Sequence, residues 1–214
     1  MPGVGVFLND QLCLTAPGQH AGSRGKANGF VSPLGAEPGI GHVLVTRGTA
    51  EALDLTATHT LRFFHGSETL EIPELRVIDA QQLTRAPDAN ISAPVLVRLG
   101  DYRYTWANAQ SAYWSYNLPA LEPPAFDDSD DYYQESLDGT TVWGWNELVA
   151  SLWEELKPAP SGSAPTLPAE PPFDPAGYNF LGISPWAALE IVVRDAGYRL
   201  AFDPLTGEVG ILDP

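Results

Sequence analysis

The sequence is poor in cysteine and in basic residues. Its single cysteine, Cys13, can form neither an intramolecular disulfide nor a metal-thiolate cluster, so stability must come from packing or assembly. Only 11 Lys and Arg stand against 27 Asp and Glu, which gives a formal charge of −16. Because phosphate repels a chain of this sign, sequence-specific nucleic-acid binding and binding to anionic membranes are disfavoured.

Long hydrophobic runs are also missing. No stretch reaches the roughly 18 apolar residues of a membrane-spanning helix, and the first residues lack the basic and apolar regions of a signal peptide. We therefore expect a soluble protein that is not signalled for export. The chain does have 44% hydrophobic residues and six tryptophans, enough for a core. Its 20 glycines and 20 prolines favour turns and extended segments over a helix bundle.

Charge divides the chain into two halves. Residues 1–103 contain 8 basic and 10 acidic residues, whereas residues 104–214 contain 3 basic and 17 acidic residues. The second half therefore carries a net charge of −14. This asymmetry is typical of a solvated surface, or of a face presented to a particular environment.

Residues 42–118 show the pattern of a β-domain. Short runs of Val, Ile, Leu and Phe recur there between turn residues, which favours antiparallel strands in a barrel or a sandwich. In one run, Val95, Val97 and Leu99 share a face, with Leu96 and Arg98 on the other. A short helix could form between Ala50 and Leu55. The predicted strands are His42–Thr46, Thr60–Phe64, Thr69–Ile72, Leu75–Asp79 and Pro94–Leu99.

Three other segments have little periodicity. Residues 1–41 are rich in glycine and proline and, after a short strand at Val4–Leu8, predict a long loop or arm, typical of a segment that is functional or ordered by a partner. Residues 119–143 form an aromatic and acidic connector. Residues 158–177 are rich in proline and predict an extended surface linker.

Residues 144–214 predict a small domain of two helices and a hairpin. From Gly144 to Leu156 the apolar residues form one helical stripe, and Lys157-Pro158 ends it. In the second helix Ser184 is the N-cap, Pro185 is the first helical residue and Gly197 is the stop. A Pro/Gly turn then joins two strands in a C-terminal β-hairpin. The predicted fold class is thus α+β and β-rich.

Motifs for catalysis are absent. There is no G-x-S-x-G turn, no phosphate-binding G-x-x-x-x-G-K-[ST] loop and no H-E-x-x-H pair, and His59 and His65 resemble ordinary strand or surface histidines. We therefore predict no enzyme and no catalytic, cofactor-binding or metal-binding residue. One weak calcium-loop candidate has Tyr132 where an EF-hand needs glycine. Its ligand positions would be Asp127, Ser129, Asp131, Tyr133, Glu135 and Asp138.

Several motifs together resemble hub-like proteins at the tip of bacteriophage tails. The first is a Val/Leu-rich strand followed by Asp101-Tyr102-Arg103 and, after an aromatic stretch, Tyr116-Asn117. Downstream, in the same order, come Tyr132–Leu137, the Trp-rich helix Trp143–Leu156, Asn179-Phe180, Ser184–Leu189 and Phe202-Asp203-Pro204. The similarity runs from about His42 to the end of the chain.

The resemblance implies a structural protein of the virion, made in the host cytoplasm. Its copies would form a homomeric ring, a trimer, at the tail tip or baseplate, with other tail proteins as partners and no cofactor. A negative channel wall would let DNA pass without sticking, so we expect part of the acidic half to face the lumen. Large aromatic residues favour interface cores. The predicted interface residues are Tyr104, Trp106, Tyr113, Trp114 and Tyr116.

Two alternatives remain open at this stage. The chain could be a carbohydrate-binding adhesin module that uses Tyr104, Trp106, Tyr113 and Trp114 as stacking faces. It could also be a hydrolase with an acidic optimum, built on a pair of carboxylates, although 27 acidic residues give no specific pair.

Overall fold

The described part of the chain is strand-rich, with eleven strands and four helices, which confirms the predicted α+β class. A computed structural model describes residues 4–14, 28–33, 35–83, 94–108, 112–117, 143–157, 165–166, 168 and 177–213, with the side chains of residues 4 and 112–115 left out. The elements are β1 (Val4–Leu8), β2 (Gln11–Leu12), β3 (Gly29–Val31), β4 (Ile40–Val45), α1 (Arg47–Glu51), β5 (His59–His65), β6 (Glu68–Gln82), β7 (Val95–Gly100), α2 (Tyr102–Ala107), β8 (Ala112–Tyr116), α3 (Trp145–Glu154), β9 (Tyr178–Ile183), α4 (Pro185–Asp195), β10 (Arg199–Phe202) and β11 (Val209–Leu212).

The chain divides into two units. The first comprises Met1–Pro33, Glu37–Tyr104 and Asp203–Gly207, and the second comprises Leu34–Ala36, Thr105–Phe202 and Glu208–Pro214. Residues 105–118 are predicted from sequence to belong to the β-domain, whereas this division places them in the second unit. The reason is the pairing of β8 with β9, more than sixty residues away in sequence. Local sequence patterns do not encode such a distant partner.

The first unit contains a seven-stranded sheet in the order β2-β1-β5-β6-β7-β4-β3, and every neighbouring pair is antiparallel. The long strand β6 pairs with β5 at its start and with β7 at its end. Between these parts the register shifts next to Glu74, whose φ is +58°. A bulge of this kind bends a strand. The two strands predicted at Thr69–Ile72 and Leu75–Asp79 are therefore one bent strand.

The two ends of this sheet are joined by hydrogen bonds. The Leu14 amide, just after β2, donates to the Leu44 carbonyl of β4 at 2.7 Å. The Asn28 side chain bridges the same residues, because its Oδ1 accepts from the Leu44 amide at 2.7 Å and its Nδ2 donates to the Leu14 carbonyl at 3.0 Å. Of the predicted barrel or sandwich, these bonds favour a closed barrel.

The core of the first unit is aliphatic. Val95, Val97 and Leu99 are buried together, as their alternation predicts. Residues from the glycine-rich opening segment join them, because β1, β2 and β3 are strands of the sheet, where the sequence predicted an arm after β1. The short hydrophobic and glycine-containing runs of β2 and β3 had no periodicity to reveal them. The core residues are Leu8, Cys13, Val43, Val45, Leu61, Ile72, Leu75, Val95, Val97 and Leu99.

The second unit contains α3, α4 and two two-stranded antiparallel sheets, β8-β9 and β10-β11. Both predicted helices and the C-terminal hairpin are confirmed. Ser184 caps α4, since its side chain accepts from the Ala187 amide at 3.2 Å, and Pro185 follows as the first helical residue. Gly197 ends the helix with a φ of +87°, which glycine adopts without strain.

Several sequence predictions lie outside the described residues. They concern the connector up to residue 142 with its acidic run, the calcium-loop candidate, and nearly all of the proline-rich linker. Among the described residues no helix is long and apolar enough to cross a membrane.

Candidate functional site

A buried ion pair joins Asp101 and Arg103 in the first unit. Arg103 Nη2 lies 2.7 Å and Nε lies 3.1 Å from Asp101 Oδ2, and the Arg103 amide donates to Oδ1 at 3.0 Å. The exposed fraction is 3% for Asp101 and 0% for Arg103. The Asp-x-Arg sequence places Asp101 just before α2 and Arg103 in the first turn of α2, so each buried charge has its partner close by.

The same pair also binds Ser32, Pro33 and Gly39. Arg103 donates to the Pro33 carbonyl at 2.9 Å and to Ser32 Oγ at 2.7 Å, while Asp101 Oδ2 accepts from the Gly39 amide at 2.9 Å. A Cβ on Gly39 would lie 2.5 Å from that carboxylate oxygen and 2.6 Å from the Phe30 ring. Glycine is therefore required by this close approach. The pair acts as a clamp on a segment distant in sequence.

Tyr116 and Asn117 form a second fixed point, in the second unit. Asn117, with a φ of +53°, binds the Trp143 backbone twice: its Oδ1 accepts from the amide at 2.8 Å and its Nδ2 donates to the carbonyl at 2.9 Å. Tyr116 is fully buried and its hydroxyl lies 3.0 Å from Ser151 Oγ. Burial raises the pKa of this phenol. Asn117 therefore fixes the backbone just before α3, and Tyr116 binds the side chain of Ser151 within α3.

Aromatic rings fill the interior of the second unit. The Trp106 ring lies 5.1 Å from that of Trp186 and 5.9 Å, edge to face, from that of Phe202. Trp186 Nε1 donates to the Ala36 carbonyl at 2.9 Å, and Trp145 Nε1 donates to the Val192 carbonyl at 3.0 Å. These bonds satisfy the polar ends of buried indoles.

The five predicted interface residues have different positions. Trp106 and Tyr116 are fully buried in the second unit, so in this structure they stabilise that unit and offer no surface for a sugar to stack on. Tyr104 is half-buried and lies in the first unit. Tyr113 and Trp114 lie in β8, and their side chains are outside the description. The contact of these five residues with a second copy stays a prediction.

A pair of adjoining grooves of about 480 and 360 Å³ lies on the surface of the first unit. Phe63 and Leu70, directly paired across β5 and β6, line both grooves. Glu68 borders the first groove, whereas Phe30 and Asp203 border the second. We call this surface the Phe63–Leu70 groove. Leu70 is 47% exposed, which is unusual for leucine in a strand face that is otherwise core.

The other side chains that could serve in catalysis or metal binding are dispersed over the rest of the described chain. His59 is buried with its Nδ1 3.1 Å from Asn9 Nδ2 and its Nε2 2.9 Å from the Asp54 carbonyl oxygen, so it holds β5 to the chain around it. Cys13 is buried in the core, and burial raises its pKa to about 11. Within the described residues, no three His, Cys, Asp or Glu side chains gather as they would around a metal ion.

Sequence reasoning missed the clamp and the groove. Asp101 and Arg103 belong to a recognisable motif, but nothing in the sequence indicates that they bind the glycine-rich segment around Gly39. Glycine-rich segments occur in many kinds of loop and do not predict a particular contact. The groove combines residues from β3, β5, β6 and the turn at Asp203–Gly207, which only the fold brings together.

No protein-family model matches the chain, and no curated protein matches it significantly.

Proposed function

We propose that this chain is a structural protein of a bacteriophage tail, a hub-like ring at the tail tip or baseplate through which DNA passes. One observation carries the proposal. The motifs that resemble tail hubs, Asp101-x-Arg103 and Tyr116-Asn117, each form a hydrogen-bonded fixed point in the described part of the chain, with Asp101, Arg103 and Tyr116 buried. Assembly proteins of one family keep a common shape and need no common catalytic group. The motifs that they share are therefore expected at residues that fix the course of the chain.

The charge of the chain supports a channel role. With 17 acidic and 3 basic residues, the half from residue 104 onward would repel DNA phosphates and so reduce friction on a passing duplex. In this proposal part of that acidic surface faces the lumen, and the partners are further copies of the chain, as a trimer, together with neighbouring tail proteins in the virion.

The oligomeric state of the full-length chain tests the ring. We expect analytical ultracentrifugation to give a closed oligomer with the mass of a trimer, and electron microscopy to show a central channel. Purified tails should contain the chain, with antibody label at the tip. A protein that stays monomeric at high concentration and is missing from purified tails would refute the proposal.

A charge variant tests the channel wall. Replacing Asp127, Asp128, Asp130 and Asp131 by asparagine should leave ring mass unchanged but increase retention of duplex DNA, because four negative charges are removed. The matched control replaces four acidic residues of the first unit: Glu37, Glu51, Glu68 and Glu71. Equal DNA retention by both variants would contradict a lumen position for the acidic run.

A further inference from the structure

We infer that the Phe63–Leu70 groove is a docking site for a partner segment that has an apolar centre and basic residues on both sides of it. The inference goes beyond the hub proposal and does not depend on it. Its first support is the apolar floor, because Leu70 and Leu205 keep 47% and 45% of their surface exposed beside the rings of Phe30 and Phe63. Exposed apolar surface that forms one groove marks a binding site more often than scattered residues do.

The geometry of the hairpin explains why this floor is uncovered. Leu61 and Ile72 pair across β5 and β6 and are buried in the core, and Phe63 and Leu70 are the next inward pair. Because alternate residues of a strand share a face, this pair continues the core-facing surface towards the end of the hairpin. The hairpin therefore extends its apolar face past the core, and the face ends in an open groove.

The charges around the groove define the occupant. One carboxylate borders each part, Glu68 together with His65 in the first and Asp203 in the second, and no Lys or Arg is among the described residues that line either part. The nearest basic residue in sequence, Arg62, faces the other side of β5, where it binds Asp10 and Glu71 at 2.7 Å each. Opposite charge at the rim favours a basic partner and disfavours an acidic one.

The total charge also favours a basic occupant of the groove. Each chain carries a formal charge of −16, so a basic partner is attracted to it at long range, whereas a second copy gains no such attraction and would associate through another surface. The groove also lies wholly in the first unit, so the occupant needs to contact only that unit. The chemistry on the surface thus selects an apolar segment flanked by Lys or Arg on a different protein.

Three labelled peptides test the inference on the full-length chain by fluorescence anisotropy. The first has the sequence Lys-Lys-Val-Leu-Phe-Val-Leu-Lys-Lys, the second replaces its lysines by glutamate, and the third keeps the lysines but replaces the apolar centre by serine. We expect only the first to bind at moderate ionic strength, because binding needs both the floor and the charges. Equal binding of the first and third peptides would show non-specific attraction to an acidic protein and would overturn the inference.

Variants locate the binding. Leu70→Ser should weaken the binding of the first peptide about tenfold, which corresponds to the loss of one apolar anchor of roughly 1.4 kcal/mol. Glu68→Lys should weaken its binding less and in a salt-dependent way. The matched controls are Leu55→Ser, at a leucine 62% exposed, and Glu37→Lys, both outside the groove. The inference fails if the control substitutions weaken the binding of the first peptide equally. It also fails if the free chain self-associates and Leu70→Ser alone abolishes that association, since the occupant is then a second copy.

Discussion

The two units of this protein have interiors of different chemistry. The first has an aliphatic core and a buried Asp101–Arg103 pair, and no tryptophan occurs in its sequence ranges. All six tryptophans belong to the range of the second unit, where Trp106, Trp145 and Trp186 are fully buried. Large buried rings supply much apolar area per residue, which suits a unit with few strands and two helices of ten and eleven residues.

This difference teaches how each unit obtains a unique structure. In the first unit, a charged clamp fixes a segment that has few apolar residues of its own. In the second, indole N–H groups bonded to backbone carbonyls fix the orientation of the rings that fill the core. The difference also provides separate probes, because tryptophan fluorescence reports only the second unit while the strand signal in circular dichroism comes mainly from the first.

Breaking the clamp should have the largest effect on the first unit. Arg103→Met leaves the Asp101 carboxylate buried without its partner, which typically costs about 3–5 kcal/mol. We expect the strand signal to be lost at much lower urea concentration than in the unchanged protein. The control is Arg98→Met, which removes the half-exposed pair with Asp79 and should cost about 0–1 kcal/mol. Equal effects of the two substitutions would show that the clamp contributes no more than a surface pair.

Removing a central ring should have a similar effect on the second unit. Trp106→Ala leaves a cavity beside Trp186 and Phe202, and large-to-small changes of this kind cost about 3–5 kcal/mol. Urea unfolding, followed by the fluorescence of the other tryptophans, measures this loss in the free energy of unfolding. Trp186→Phe is the conservative comparison, since it keeps a ring and loses mainly the bond to the Ala36 carbonyl. A Trp106→Ala protein with unchanged stability but altered ring mass would instead support the interface prediction.

The buried thiol should make the first unit sensitive to alkaline pH. Burial raises the pKa of Cys13 from 9.0 to about 11, so the folded state keeps its proton at a pH where the unfolded state loses it. Below pH 9.0 the thiol keeps its proton in both states and the free energy of unfolding is unaffected. As the pH rises from 9.0 towards 11, the free energy of unfolding falls, by about 2–3 kcal/mol at most. Urea midpoints measured by circular dichroism across this range should fall. Cys13→Ala should remove that part of the slope, and an unchanged slope would contradict the prediction.

The smallest effect concerns the start of α4. Ser184→Ala removes the cap bond to the Ala187 amide and should destabilise the second unit by about 1 kcal/mol. Ser184→Thr keeps the hydroxyl and should retain most of the stability. Fluorescence-detected unfolding of both variants gives the answer, and identical losses for alanine and threonine would point to packing at this 6% exposed residue rather than capping.

Local sequence patterns were sufficient to predict the α+β class, the strand runs, both longer helices with their N-cap and C-terminal glycine, and the hairpin. These features depend on contacts between residues close in the chain, such as Ser184 with Ala187, so periodicity and capping residues are sufficient to predict them. The bend of β6 at Glu74 was not predicted, because a bulge depends on the register with a neighbouring strand.

The folded chain as a whole sets which distant segments meet. It closed the sheet through Leu14, Asn28 and Leu44, paired β8 with β9, placed Gly39 against the Asp101 carboxylate and assembled the Phe63–Leu70 groove. The physical reason is that these contacts join residues far apart in sequence, and their selection depends on the burial of the whole core and on the pairing of buried charges, which no local pattern specifies.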